Sequence, residues 1–248
     1  MKILLVNPNI TTAITDLMAV EARRVAAPST QVVTATAEFG TLYIENRAEA
    51  AIAGHAVLDA LAAHSADCDA AIVAAFGDPG LAGAKELLDI PVVGIAEAAL
   101  LTAWMVGRRF SIVCMTSRLR TWYTECVAEH GLQERLAAVR ALDVPVTDVT
   151  QAGELLEEPL LELCRRTVDE DDAEVVIVGG GPLAGVAHRI ADRLPVPVLD
   201  GVACAVPMAE MLVNLNVRAP TQGSFARPRS KPATGLSAAL THLVDRDN

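Results

Sequence analysis

Short apolar runs rich in β-branched residues recur along the chain, at residues 3–6, 31–36, 70–74 and 92–95 and again at 110–115, 139–142, 175–178 and 196–199. Strands that are apolar on both faces are expected in a parallel sheet covered by helices. Between the runs lie stretches with helical period, most clearly 12–26, 47–65 and 154–169. Alternating strand and helix patterns predict βαβ units with right-handed crossovers, hence an α/β chain.

The pattern also repeats. Ala71-Ile-Val-Ala-Ala-Phe-Gly-Asp-Pro-Gly-Leu-Ala-Gly-Ala84 parallels Val176-Ile-Val-Gly-Gly-Gly-Pro-Leu-Ala-Gly-Val-Ala187, provided that a gap of three residues is allowed. Each segment reads as a strand, a loop of small residues, and Leu-Ala-Gly opening a helix. Each is followed by a strand led in by proline, at Pro91 and Pro197. The repeat predicts two pseudo-symmetric Rossmann-like halves, 1–100 and 101–205, each with a four-stranded parallel sheet; residues 206–248 return to the first half. Ligands of such sheets bind beyond the carboxyl ends of the strands, so two facing halves would enclose one site between them. Residues 218–233 hold three prolines with Gly, Ser and Arg, and read as an extended loop. A short helix at 236–244 follows. It either packs back on the body or makes a subunit contact, which leaves a homo-oligomer open.

Composition narrows the function. The 248 residues carry a net charge of −11, which argues against a nucleic-acid partner because phosphate contacts need an excess of Lys and Arg. Small anions remain candidates, since backbone N–H groups bind them without formal charge. Aromatic residues make up only 3% of the chain, a mix suited to close helix–strand packing. The five cysteines (Cys68, Cys114, Cys126, Cys164, Cys204) form no CxxC pair, so neither a disulfide framework nor a zinc site is expected. No apolar run approaches the roughly 18 residues of a membrane span or forms a signal-peptide core, and the expected location is the cytoplasm.

Four strand ends collect the candidate chemistry. After the first strand come Asn7 and Asn9, whose amides either contact a ligand or simply turn the chain, with Thr11 or Thr12 capping the helix. The second loop, Ala75-Phe76-Gly77-Asp78-Pro79-Gly80, offers backbone N–H groups to an anion; Asp78 is either a base or a helix cap. The third holds Thr116 and Ser117, two hydroxyls at a helix start that either bind a carboxylate, with Tyr123 closing over it, or simply cap the helix while Tyr123 packs in the core. The fourth is Gly179-Gly180-Gly181-Pro182, where the missing Cβ atoms permit close approach of a ligand, although it matches neither the dinucleotide fingerprint nor the P-loop. His188 lies further along as a weak candidate base, and Asp200 ends the last strand. No metal-ligand cluster and no cofactor motif is present in this reading.

The opening Met1–Thr12 stretch, the segment 40–45, Phe-Gly-Asp-Pro-Gly-Leu at 76–81 and the segment 197–201 together resemble the hydantoin racemase branch of the aspartate/glutamate racemase superfamily, in the right order over nearly the whole chain. The resemblance implies a cofactor-independent isomerase with its site between two halves and a small-molecule substrate. In that family one thiolate removes a proton beside a carbonyl and a thiol on the other half returns one to the opposite face. Loop N–H groups and hydroxyls would hold the enolate. The family's cysteines should fall where this chain has Ala75 and Gly180, neither of which transfers protons. The implied activity is therefore a racemase-like isomerisation of a hydantoin or small amino-acid-related carbonyl compound without the two-thiol mechanism. A decarboxylase or lyase in the same cleft, and a catalytically silent binding protein for a small carboxylate or cyclic imide, are the alternatives.

Overall fold

A computed structural model describes residues 1–143 and 151–246. The first half begins β1 (Lys2–Asn7), α1 (Thr12–Val25), β2 (Gln31–Thr36), α2 (Arg47–His64), β3 (Ala70–Val73), α3 (Leu81–Leu87), β4 (Val92–Gly94) and α4 (Ile95–Val106). The second runs β5 (Phe110–Cys114), α5 (Arg118–Glu129), β6 (Leu136–Ala141), α6 (Ala152–Leu155), α7 (Glu157–Asp171), β7 (Val175–Val178), α8 (Val186–Ile190), β8 (Val198–Asp200) and α9 (Gly201–Asn214), with α10 (Ala238–Val244) after the proline-rich tail. Two four-stranded parallel sheets result, β2-β1-β3-β4 and β6-β5-β7-β8. The strand orders correspond one to one.

Side-chain alternation decides how the sheets stack. In the first sheet Ile3, Leu5, Ala70 and Ile72 face one way; in the second, Phe110, Ile112, Val175 and Ile177 do so. All of them join a single core with Ile14 and Met18 of α1, Leu100 of α4, Tyr123 of α5 and Val206 of α9. The intervening residues face outward: Leu4, Val6, Ala71 and Val73 pack under α2, α3 and α10, whereas Val113, Val176 and Val178 pack under α7 and α8. Both sheets are thus apolar on both faces, and the shared central layer joins the halves. Burying one such Ile or Leu contributes on the order of 1.5–3 kcal/mol.

Several boundaries differ from those the periodicity predicts. Strand β6 starts three residues before the expected 139, because its half-buried edge position hides the apolar signal of Leu136 and Ala137. β8 starts at Val198, after Pro197, which has no N–H to donate to the ladder. β4 stops at Gly94, and Ile95 already opens α4. The two Leu-Ala-Gly triplets are not equivalent. The first lies inside α3, whereas Gly185 of the second is the left-handed N-cap of α8 (φ 82). Its counterpart is Gly80, the left-handed N-cap of α3 (φ 80). With Gly80 matched to Gly185, β3 to β7 and Ala75 to Gly180, the repeat needs no gap across this stretch. Of the returning segment 206–248, α10 packs on α2, Arg227 donates to Asp89 at 2.9 Å, and Arg246 also pairs with Asp89. Residues 247 and 248 lie outside the described residues. No described helix is long and apolar enough to cross a membrane.

Candidate active site

The carboxyl ends of β1, β3, β5 and β7 converge on one small cavity of about 50 Å³. Its lining includes Ala75 from the first half and Gly180 from the second. At roughly 10–15 Å³ of probe-occupied space per water, it is a small, partly open site.

On the β1 side the loop is built by Asn7, the last residue of the strand. Its side chain is fully buried and donates to Asn9 Oδ1 at 3.0 Å and Thr15 Oγ1 at 2.9 Å, while its own Oδ1 accepts from the Asn9 N–H at 3.2 Å. Asn7 therefore shapes the loop and Asn9 borders the cavity. Thr11 is the N-cap of α1 without a side-chain capping bond; its hydroxyl instead donates to Leu42 O at 2.6 Å. That bond, with Ile10 N–H to Thr41 O at 3.1 Å, ties the β1 loop to the segment 40–45. Tyr43, Ile44 and Glu45 of that segment cover the cavity. Two ion pairs then join the cover to the other half: Glu45 with Arg118 at 3.4 Å and Arg47 with Glu125 at 2.5 Å.

Tyr123 crosses the floor on the second side. It is 2% exposed, and its ring packs on Phe76 with centroids 4.7 Å apart. Burial pushes its phenol well above the usual range, with nearby Cys114, Cys126 and Asp78 adding to the effect, so it stays a donor. A Cβ built on Gly180 would lie 3.9 Å from the Tyr123 hydroxyl oxygen, with open space around it. Space is not the constraint there. Gly180 has φ 126 and ψ 133, a region that L-residues rarely enter. Ala75 has no such backbone restriction.

Of the residues singled out from sequence, Asn9, Phe76, Thr116, Tyr123, Gly181 and Pro182 come together around the cavity. Asn7, Gly77, Ser117 and Asp200 do not line it. Gly77 is needed for the approach of Trp122, whose ring would stand 2.5 Å from a Cβ there. Ser117 is exposed, and its backbone N–H donates to Asp143 at 2.5 Å. Asp200 caps α9, accepting from Val202 and Ala203 N–H at 2.8 and 3.1 Å, and also accepts from Gly185 N–H at 2.8 Å.

The two weak catalytic candidates other than Tyr123 lie away from the lining of this cavity. The Asp78 side chain does not cap its own helix α3. It reaches across to α4 and accepts from Ala96 and Glu97 N–H at 2.9 and 2.6 Å. His188 is exposed on α8 and faces a separate groove beside Arg24 and Arg189. Burial raises Asp78 to about 7 and Asp200 to about 6, against the pull of the backbone N–H bonds in the other direction. Of the cysteines, Cys114 lies nearest in sequence to a cavity loop. Its thiol is buried at the end of β5, bonds to Thr116 O, and is pushed up to about 12 by burial. Sequence reasoning had not assigned Tyr43, Ile44 and Glu45 to the site; the 40–45 segment signalled itself only through the family resemblance.

Two matched α/β halves with one cavity at the facing strand ends define the architecture of pseudo-symmetric racemases and their structural kin. The chain belongs to the Asp/Glu/hydantoin racemase family, whose model matches residues 3–209. It is 33% identical to a hydantoin racemase of Pseudomonas sp. (strain NS671) over 95% of both chains. It is 34% identical to a hydantoin racemase of Paenarthrobacter aurescens, over 93% of this chain and 99% of the relative. Among solved structures, allantoin racemase from Klebsiella pneumoniae superposes with a TM-score of 0.92 at 36% identity, over 97% of this chain and 98% of that one.

Proposed function

We propose that this protein is a cofactor-independent, racemase-like isomerase acting on a hydantoin or a related small carbonyl compound through a stabilised enolate. The observation that carries the reading is that Ala75 and Gly180, matched positions of the two halves, line one and the same cavity. A planar enolate seated between them is approached from both faces. The Thr116 hydroxyl, the Asn9 amide and the loop backbone would hold its oxygen, in the manner of any preorganised oxyanion site. The division at about residue 100, with the tail returning to the first half, belongs to the same proposal.

Neither Ala75 nor Gly180 moves a proton, so the two-thiol mechanism does not operate; solvent water or hydroxide takes the proton from the stereocentre and water returns one to the other face, while the loop donors hold the enolate oxygen. The native chain is expected to exchange the hydrogen at the stereocentre slowly. The experiment incubates single enantiomers of 5-substituted hydantoins and allantoin with the protein in D2O and follows deuterium uptake together with optical rotation. Exchange coupled to loss of rotation supports the proposal; complete absence of both with every probe sinks it. A second reading, binding without turnover, is favoured by the backbone of Gly180. At φ 126 any side chain at this position is strained.

A further inference from the structure

Two features of the cavity are left over once the enolate donors are assigned. The first is the Tyr123 hydroxyl. It is carried by a residue 2% exposed and borders the cavity, and no described residue hydrogen-bonds to it. The hydroxyl oxygen is not a sealed, unsatisfied atom but opens onto the cavity, where it is free to donate to a ligand. The second is the charge of the lining. Glu45 contributes a carboxylate, and no lysine or arginine lines the cavity among the described residues. Arg118 pairs with Glu45 from outside and is itself largely exposed. A carboxylate-bearing ligand would meet the like charge of Glu45, offset only in part by the solvent-exposed Arg118 outside the lining.

We propose that Tyr123 and Glu45 are specificity-determining residues that select an uncharged, N–H-bearing ring: Tyr123 donates to a carbonyl oxygen, and Glu45 accepts from an amide N–H of the same ligand. This rests on the racemase-like reading for the location of the site, but it concerns recognition and not turnover. The ring-opened N-carbamoyl amino acid differs by one added water, which turns a ring carbonyl into a carboxylate, and is the ligand that Glu45 disfavours.

The test is calorimetric titration of the intact protein with 5-methylhydantoin and with N-carbamoylalanine, alongside thermal unfolding without ligand. The hydantoin is expected to bind the native protein at least tenfold more tightly than the carbamoyl acid. Tyr123→Phe should weaken hydantoin binding by roughly threefold to tenfold, the contribution of one hydrogen bond, while leaving Tm unchanged, because the hydroxyl bonds to no described residue. Glu45→Gln should narrow the preference between the two ligands. Tighter binding of the carbamoyl acid, or no binding of either probe, overturns the proposal. So does a Tyr123→Phe variant that loses Tm yet keeps its affinity, since the hydroxyl would then be structural. Selective hydantoin binding without deuterium exchange would leave this proposal standing and sink the catalytic one.

Discussion

The two halves solve one local problem in different ways. In each, a parallel strand runs straight into a long helix whose first N–H groups need acceptors. In the second half Asp200 stands at the N-cap of α9 and accepts from its second and third residues, Val202 and Ala203. In the first half the matched N-cap of α4 is Gly94, which has no side chain. Asp78 fills the gap from another loop: a Cβ on Gly94 would sit 2.2 Å from the Asp78 carboxyl carbon. The same two donors are satisfied, but the acid comes from the loop that carries Ala75. One cavity loop is therefore pinned to α4 by its own side chain. The other is held from outside, by the bond from Gly185 to Asp200. Pseudo-symmetry has preserved the hydrogen bonds and not the residues that make them.

The largest expected effect tests whether the two loops are still interchangeable as carriers of chemistry. Placing a thiol on each wall, with Ala75→Cys and Gly180→Cys, should raise hydantoin racemisation by at least ~10²-fold, since general acid–base groups typically supply ~10²–10⁴ each. Neither single variant should match the pair. The cost is unequal: Gly180→Cys should destabilise by about 1 kcal/mol or more, because of its positive φ, and Ala75→Cys by much less. Urea unfolding and deuterium exchange at the stereocentre measure the two quantities on the same samples. A folded double variant with no exchange would show that the cleft is not a racemase site short of two sulfurs.

The cap comparison makes a smaller and sharper prediction. Asp78→Ala should cost about 1–2 kcal/mol, as removal of an N-cap acceptor does. Gly94→Asp alone should also destabilise, because its side chain collides with Asp78. The pair Asp78→Ala with Gly94→Asp imports the arrangement of the second half and should recover most of the loss. Denaturant midpoints of the four proteins close the cycle; simple additivity would break the comparison.

A third expectation concerns pH. Asp78 and Asp200 bind their protons more tightly when folded than the ordinary value of about 4. Below that value both forms are protonated, and the stabilisation is fully present. As pH rises, the folded protein holds protons that the unfolded chain has released. Stability should therefore decline from about pH 4 through about 6 for Asp200 and about 7 for Asp78. Asp78→Asn should flatten the upper part of the decline and Asp200→Asn the lower part, read from Tm against pH. The smallest effect expected is that of chelator. The described residues include no group of three or more His, Cys, Asp or Glu able to hold a metal, so exchange activity should be unchanged after exhaustive EDTA treatment.

Much of the fold was legible because burial on both faces leaves an unmistakable run of apolar residues, as in Val175–Val178. The edge strand β6 was harder to delimit, since its half-buried residues mix Arg140 with Ala and Val. The strand-end loops could be found from glycine and proline alone. What their side chains do could not. Asp78 and Asp200 look alike in sequence, each beside a glycine, and only the spatial neighbours separate a cap across loops from a cap on the same helix. The cover residues Tyr43 to Glu45 carry no period and no turn signature that marks a binding role. Matching by Leu-Ala-Gly misled for a related reason: identical triplets occupied different turns, and the left-handed glycines were the true landmarks.

The borrowed cap has a bearing on protein engineering. A loop whose acid also anchors a neighbouring helix is scaffold as much as active-site wall, and changes to its backbone are transmitted into α4. The glycine loop on the opposite wall lends no side chain to any helix cap. Changes there are not transmitted into a helix cap; their cost is local, set by the positive φ of Gly180 and by the close packing around Gly179 and Gly181.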